Sequence, residues 1–166
     1  VYAMGETELH EAVVELLKEK GLTLAVAESC TGGLISSRIT DVPGSSEVFE
    51  RGVITYSNQS KINLLGVKPE TVEKYGAVSE YTAKEMAEGI RRISGTDIGI
   101  SVTGIAGPGG GTAEKPVGLV YMGISTKDGC EASSYVFARD RRWIKNMAAM
   151  NALNLVRKYA MKATKG

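Results

Sequence analysis

Residues 22–40 read LTLAVAESCTGGLISSRIT, and this stretch decides the fold. Leu22 to Glu28 is a short apolar run of strand length, and Thr31 to Thr40 then takes up helical spacing before the Asp41-Val42-Pro43-Gly44 turn. A strand that passes through a tight turn into a helix opens an α/β unit. Working outward, Leu9, Val13, Leu16 and Leu17 recur at helical spacing in a predicted helix over 6–20, which Gly21 stops. Phe49 to Tyr56 reads as a second strand. Asn58 to Leu65 reads as a short helix ended by Gly66, and Pro69 to Gly76 as another.

Ser79 suits the N-cap of a helix running to Ser94, with Ala83, Met86, Ala87, Ile90 and Ile93 as its core stripe. Strands are expected at Ile98 to Thr103, Val117 to Ser125 and Cys130 to Phe137. The last two join through Lys127-Asp128-Gly129, whose Asp-Gly step is a hairpin signal. Asp140 caps a long final helix with Trp143, Met147, Met150, Leu153 and Val156 facing inward and a basic tail over 161–166. The sum is a single domain over 1–166, a three-layer α/β/α sandwich around a mixed, mainly parallel sheet of about five strands.

Composition narrows the chemistry. A length of 166 residues fits one domain, and 20 Lys plus Arg against 19 Asp plus Glu lack the basic excess of a nucleic-acid binder. Two cysteines without a CxxC pair form neither a disulfide framework nor a zinc site, which fits a reducing, cytoplasmic setting. The first twenty residues are acidic and lack the apolar core of a signal peptide, so no membrane association is expected. His10 is the sole histidine, which sets aside a Ser/His/Asp triad and multi-histidine metal sites; no metal or organic cofactor is expected.

Ligands of such sheets bind beyond the carboxyl ends of the strands, which brings three loops together: Ser29 to Gly33, Tyr56 to Lys61 and Gly104 to Gly111. In the first, the backbone amides of Cys30, Thr31 and Gly32 are expected to be unpaired and to welcome an anion. Ser29 is then a nucleophile beside its own oxyanion hole, or else Ser29 or Thr31 only caps the helix. Cys30 is the rival nucleophile. With histidine nearly absent, a serine needs a lysine, carboxylate or tyrosine as base, and Tyr56-Ser57-Asn58-Gln59-Ser60-Lys61 offers two of these. Lys61 serves only if burial lowers its pKa from about 10.4 to roughly 7 to 8; otherwise it is a surface lysine. Five glycines between 104 and 111 make a phosphate cradle or a flexible loop, and the segment matches neither a Walker A loop nor G-x-G-x-x-G. Lys115, Arg139, Arg141 and Arg142 supply positive charge near strand or helix ends.

Four signatures occur in order: AESCTGG at 27–33, YSNQSK at 56–61, GAVSEYTAKEMAEG at 76–89 and TGIAGPGGGTAEKPVG at 103–118. On these residues the chain from about Leu22 to Leu155 resembles the CinA C-terminal domain family, which includes bacterial nicotinamide mononucleotide deamidases. The resemblance implies hydrolysis of the carboxamide of nicotinamide mononucleotide to nicotinic acid mononucleotide and ammonia, in pyridine nucleotide salvage. It implies Ser29 as nucleophile, Lys61 as its base and Tyr56 as a proton-relaying or orienting partner. It also implies that the glycine-rich segment holds the ribose phosphate, with Thr103, Gly104, Ala106, Gly107 and Gly109 as binding positions beside Arg141. A small-molecule nucleotide is thus the expected partner, and a homo-oligomer with an interface on the methionine-rich last helix is expected.

Departures are also visible. The family's last signature, F-x-G-D-R-x-x-I-R, appears as Phe137-Ala138-Arg139-Asp140-Arg141-Arg142-Trp143-Ile144-Lys145, with Arg139 in place of glycine and Lys145 in place of arginine. Larger family members carry a further N-terminal pyrophosphatase domain, and a chain of this length is expected to be the deamidase domain alone. The rivals are a non-catalytic domain that binds a phosphorylated nucleotide in regulation or a damage response, and an amidohydrolase for a different nucleotide amide.

Overall fold

The computed structural model describes residues 8–164. In chain order the elements are α1 (Leu9–Lys20), β1 (Leu24–Glu28), α2 (Leu34–Thr40), β2 (Phe49–Ile54), α3 (Asn58–Leu65), α4 (Pro69–Tyr75), α5 (Glu80–Ser94), β3 (Ile98–Gly104), β4 (Leu119–Thr126), β5 (Gly129–Val136) and α6 (Arg141–Lys162). The strands lie in the order β2-β1-β3-β4-β5. β1 pairs in parallel with β2 and β3, whereas β3 with β4 and β4 with β5 pair antiparallel. Four strands therefore share one direction and β4 alone is reversed. This is the expected mixed sheet of five strands, with its pairings divided evenly between the two kinds. Helices α1, α2 and α6 cover one face; α3, α4 and α5 cover the other. No helix among the described residues is long and apolar enough to cross a membrane.

Alternation along the strands gives the two faces different textures. Leu24 and Val26 of β1, Ile98, Ile100 and Val102 of β3, and Val120, Met122 and Ile124 of β4 pack with α1, α2 and α6 in one large aliphatic core. The opposite positions are small. Ala25 pairs with Gly99, Ala27 with Ser101, and Ser101 with Gly123. Smallness there lets α5 lie directly on the sheet: the Ser101 hydroxyl donates to the Ala83 carbonyl at 2.6 Å, and a Cβ at Gly123 would stand 2.4 Å from that same oxygen. Gly99 is equally constrained, since its Cβ would come within 2.5 Å of the Ala87 carbonyl.

Several sequence expectations need correction. The predicted helix start at Glu6 and Lys165 of the basic tail lie outside the described residues. Helix α2 begins at Leu34 rather than Thr31, because Gly32 and Gly33 take left-handed backbone (φ 60° and 102°) and form a turn first. Ile93 is exposed at the end of the α5 stripe. On α6 the inward face is Ile144, Ala148, Ala149, Ala152, Leu153, Val156 and Ala160, while Trp143 and Met150 are exposed. Alanines fill much of that face because α6 packs closely against α1 and the sheet, and Trp143 and Met150 lie outside it. The β4–β5 hairpin forms where expected, turning through Lys127 and Asp128 with Gly129 as the first strand residue at φ 130°.

Gly89 of α5 faces the Leu65 carbonyl, where a Cβ would stand 2.0 Å from the oxygen. Alanine normally improves a helix interior by about 1 kcal/mol over glycine. Here Gly89→Ala is expected to destabilise by about 1–3 kcal/mol through overpacking, read as a lower urea midpoint with an unchanged m-value.

Candidate active site

The carboxyl end of β1 splits two neighbouring side chains between the layers. Glu28 continues the Leu24, Val26 series toward α2, and Ser29 points the other way, toward α3. Glu28 is fully buried. Its Oε1 accepts from the Thr31 hydroxyl (2.6 Å), the Gly33 amide (3.2 Å) and the Ile35 amide (3.0 Å), and its Oε2 accepts from the Ser36 amide (2.9 Å) and hydroxyl (2.7 Å). These bonds satisfy the first turn of α2 and hold the Cys30–Gly33 turn in place. Nothing in the sequence reading singled out Glu28. The available signal was a lone carboxylate closing an apolar strand directly before Ser-Cys-Thr-Gly-Gly.

Ser29 is 7% exposed, and its amide continues the ladder to the Val102 carbonyl at 3.0 Å. Lys61 is 1% exposed. Ser57 caps α3 by accepting from the Ser60 amide, and the helix carries the Lys61 side chain under the β2–α3 loop. There Nζ donates to the carbonyls of Thr55 (2.8 Å) and Tyr56 (3.1 Å) and lies 3.0 Å from Ser29 Oγ. Burial pushes its pKa down from the ordinary 10.5 to about 8. A neutral Lys61 spends its two N–H groups on the two carbonyls and leaves its lone pair for the Ser29 hydroxyl. That is the geometry of a general base on a nucleophile.

The other expected positions divide. The amides of Cys30 and Thr31 have no carbonyl or carboxylate acceptor among the described residues. Gly32, expected to be free, donates to the Ser29 carbonyl at 3.1 Å, because the turn closes on itself. Thr31 spends its hydroxyl on Glu28. Cys30 is buried, and burial pushes its thiol up to about 11, so it stays protonated at neutral pH. Tyr56 meets Lys61 through its backbone carbonyl. Its side chain is 62% exposed, and its phenol oxygen accepts from Arg141 at 3.1 Å and bonds to neither Ser29 nor Lys61. Arg141 also donates to the Gly107 carbonyl at 2.7 Å, tying the glycine-rich loop to the start of α6.

Ser29, Cys30, Tyr56, Lys61, Thr103, Gly104, Ala106 and Arg141 line one cavity of about 150 Å³, together with Ala77 and Val78, which precede α5. Thr103 donates its hydroxyl to the Ala77 carbonyl at 2.9 Å, joining two of these walls. Gly109 does not line it, and Lys115 is drawn away to the Tyr75 carbonyl. Beside the cavity runs a groove of about 700 Å³ between the Thr31–Leu34 turn and the first turns of α6, with Arg141 shared by both. Among the described residues no three His, Cys, Asp or Glu side chains gather as metal ligands do.

A family model described as the CinA C-terminal domain matches residues 6–160. A CinA-like protein of Kosmotoga olearia is 55% identical over 158 residues, 95% of this chain and 38% of that protein. A CinA-like protein of Chlorobaculum tepidum is 61% identical over 146 residues, 85% of this chain and 34% of that protein. The chain thus spans under two fifths of the length of these curated relatives. The crystal structure of the competence/damage inducible protein CihA from Agrobacterium tumefaciens superposes with a TM-score of 0.89 at 39% identity, covering 95% of this chain and 97% of that one.

Two stability measurements probe this arrangement. Glu28→Gln places an amide donor against the donors of Ser36 and is expected to cost about 2–4 kcal/mol in urea unfolding. For Lys61 the folded-state pKa lies below the unfolded value, so the unfolded chain binds more protons between pH 8 and 10.5. The burial penalty, about 3 kcal/mol, is therefore full below pH 8 and relieved as pH rises toward 10.5. The stability of the wild type relative to Lys61→Met should be flat below pH 8 and climb above it.

Proposed function

Because this chain belongs to the CinA C-terminal domain family, we propose that it is an amidase that hydrolyses the carboxamide of a pyridine mononucleotide, nicotinamide mononucleotide, through a serine ester. The observation that carries the reading is the 3.0 Å approach of a buried, readily neutralised Lys61 to Ser29 Oγ. Lys61 takes the Ser29 proton as Oγ attacks the carboxamide carbon. The developing oxyanion turns toward the amides of Cys30 and Thr31. Lys61 returns the proton to the departing nitrogen, ammonia leaves, and an acyl ester remains on Ser29. Water, deprotonated by the same lysine, then cleaves the ester to free the carboxylic acid and restore the hydroxyl.

The cavity supports an aromatic amide as the reacting group. At about 150 Å³ it suits a single pyridine ring with its carboxamide and is below the usual size for a whole nucleotide. The rest of the ligand must extend past Arg141, which lines both the cavity and the basic groove. A nucleotide with its charge at the far end meets that requirement. Deamidation of such a nucleotide serves pyridine nucleotide salvage. Tyr56 enters as an orienting residue, through its carbonyl on Lys61 and its phenol on Arg141.

The test is ammonia release from nicotinamide mononucleotide. Ser29→Ala and Lys61→Ala are each expected to lower kcat at least 10³-fold with unchanged circular dichroism. The base must be neutral, so kcat/KM should rise tenfold per pH unit below pH 8 and level off above it, with roughly one-tenth of Lys61 neutral at pH 7. Binding of the mononucleotide without ammonia release would make this a ligand-holding domain. Release from a different pyridine nucleotide amide would change the substrate and keep the chemistry.

A further inference from the structure

We infer that Lys115 is a positioning residue: it clasps the glycine-rich loop to the Ala77–Val78 wall and so sets the width of the cavity over Ser29 and Lys61. Its effect on turnover rests on the amidase reading above. The clasp itself rests on the contacts of the loop and the wall.

The wall is a stretch of backbone held by its carbonyls. Between α4 and α5, three consecutive carbonyls each accept from a side chain of a different segment: Tyr75 from the Lys115 ammonium, Gly76 from the Thr82 hydroxyl at 2.7 Å, and Ala77 from the Thr103 hydroxyl at 2.9 Å. Thr82 belongs to α5 and Thr103 to β3, and both are buried. Of the three donors, Lys115 alone reaches the wall from a loop. Gly76 makes room for it: a Cβ there would stand 3.1 Å from Lys115 Nζ, and the φ of 82° at this residue suits glycine.

The loop between β3 and β4 is folded around its own valine. A Cβ at Gly107 would stand 2.4 Å from a Val117 methyl group, and one at Gly111 would stand 2.7 Å from the Val117 amide nitrogen, so these glycines serve close packing. Thr112 and Lys115 fix one another: the Thr112 amide donates to the Lys115 carbonyl at 2.7 Å, and the Lys115 amide donates to the Thr112 hydroxyl at 3.0 Å. That turn delivers the Lys115 side chain to the wall. Among the described residues, two hydrogen bonds tie positions 106–117 to segments other than β3 and β4: Lys115 to the Tyr75 carbonyl, and Arg141 to the Gly107 carbonyl. One anchors the loop on the α4–α5 wall and the other on α6, and Arg141, Ala106 and Ala77 all line the same cavity. Residues 108–114 are exposed, so no packing replaces a lost anchor. A cation on a carbonyl makes a charge-assisted bond. Removing the ammonium therefore frees one end of the loop, while Thr82 and Thr103 still hold the wall. Lys115 bonds to neither Ser29 nor Lys61. A looser cavity weakens contact with a bound ring equally in the ground and transition states, which raises KM and leaves kcat.

The test compares Lys115→Met, which keeps the stem and removes the donor, with Lys115→Arg, which keeps a donor. Amide hydrogen exchange over 75–79 and 105–117, measured without substrate, should be about tenfold faster in both segments for Lys115→Met and close to wild type for Lys115→Arg, with unchanged circular dichroism. Exchange at 75–79 decides the matter, because that segment contains no substitution. In the amidase assay Lys115→Met should raise KM for nicotinamide mononucleotide about tenfold, with kcat within about twofold and the pH midpoint still near 8. Lys115→Arg should restore KM. Unchanged exchange at 75–79 in Lys115→Met overturns the clasp, and so does loss of its circular dichroism, since Lys115 would then be holding the whole fold. Faster exchange with an unchanged KM, or a moved pH midpoint, overturns the positioning role. If the wild type releases no ammonia the amidase reading falls, and faster exchange at 75–79 still upholds the clasp.

Discussion

Five hydrogen bonds converge on the Glu28 carboxylate where β1 ends, and the geometry at the carboxyl edge of the sheet follows from them. A fully buried carboxylate survives only when its oxygens are satisfied, and here the donors are the first-turn groups of α2 that would otherwise be orphaned. One group thus solves two problems. It anchors the short helix α2, which is too brief to be stable on its own, and it fixes the turn that carries Ser29, Cys30 and Thr31. The strand's alternation then sends Ser29 to the opposite side from Glu28, where α3 waits with Lys61. Strand, turn and the placement of Ser29 are one construction.

The same edge carries a cost in stability. Lys61 is among the largest fully buried side chains of the protein, and no carboxylate among the described residues pairs with it. Burial alone lowers its pKa to about 8, and two main-chain carbonyls orient it. A carboxylate partner would favour the charged form and raise the pKa again. The absence of a counter-ion is therefore what makes the amine available near neutral pH. Cys30, adjacent to Ser29, experiences the same burial with the opposite consequence: its thiol is held neutral and inert.

A formal net charge of +1 conceals a strongly uneven distribution. Arg139, Arg141, Arg142 and Lys145 gather around the first turns of α6, across from the Thr31–Leu34 turn. Arg141 is the hinge of this region, reaching Tyr56 of the β2–α3 loop and Gly107 of the glycine-rich loop from a single guanidinium. Three separate segments are held around one opening by that side chain. The rigid fork of arginine suits the task, since a lysine could not address two fixed acceptors in one plane.

Much of this was legible before any coordinates. The spacing of apolar residues and the punctuation by glycine, serine and proline located the helices and strands, because those signals act locally: Asn58 to Leu65 with Ser57 and Gly66 at its ends is helical for reasons contained within ten residues. The family signatures named Ser29 and Lys61 as a pair. What they could not supply was anything that depends on which elements meet. Leu153 and Val156 face inward from α6 as the spacing predicts, but the rest of that face is missed because alanine is silent in a count of large apolar residues, yet alanine is what permits close packing. Gly32 was expected to offer a free amide, and only the closed turn shows it occupied. Glu28 looked like the end of a strand until its carboxylate was seen among five donors from the following turn and helix. The sequence by itself determined the elements and supplied the Ser29 and Lys61 side chains, since propensity and side-chain chemistry are local. The burial that brings Lys61 to about 8, the side of the sheet on which Ser29 emerges and the gathering of cations along α6 were decided by tertiary structure, because desolvation, register and electrostatic proximity belong to pairs of distant segments.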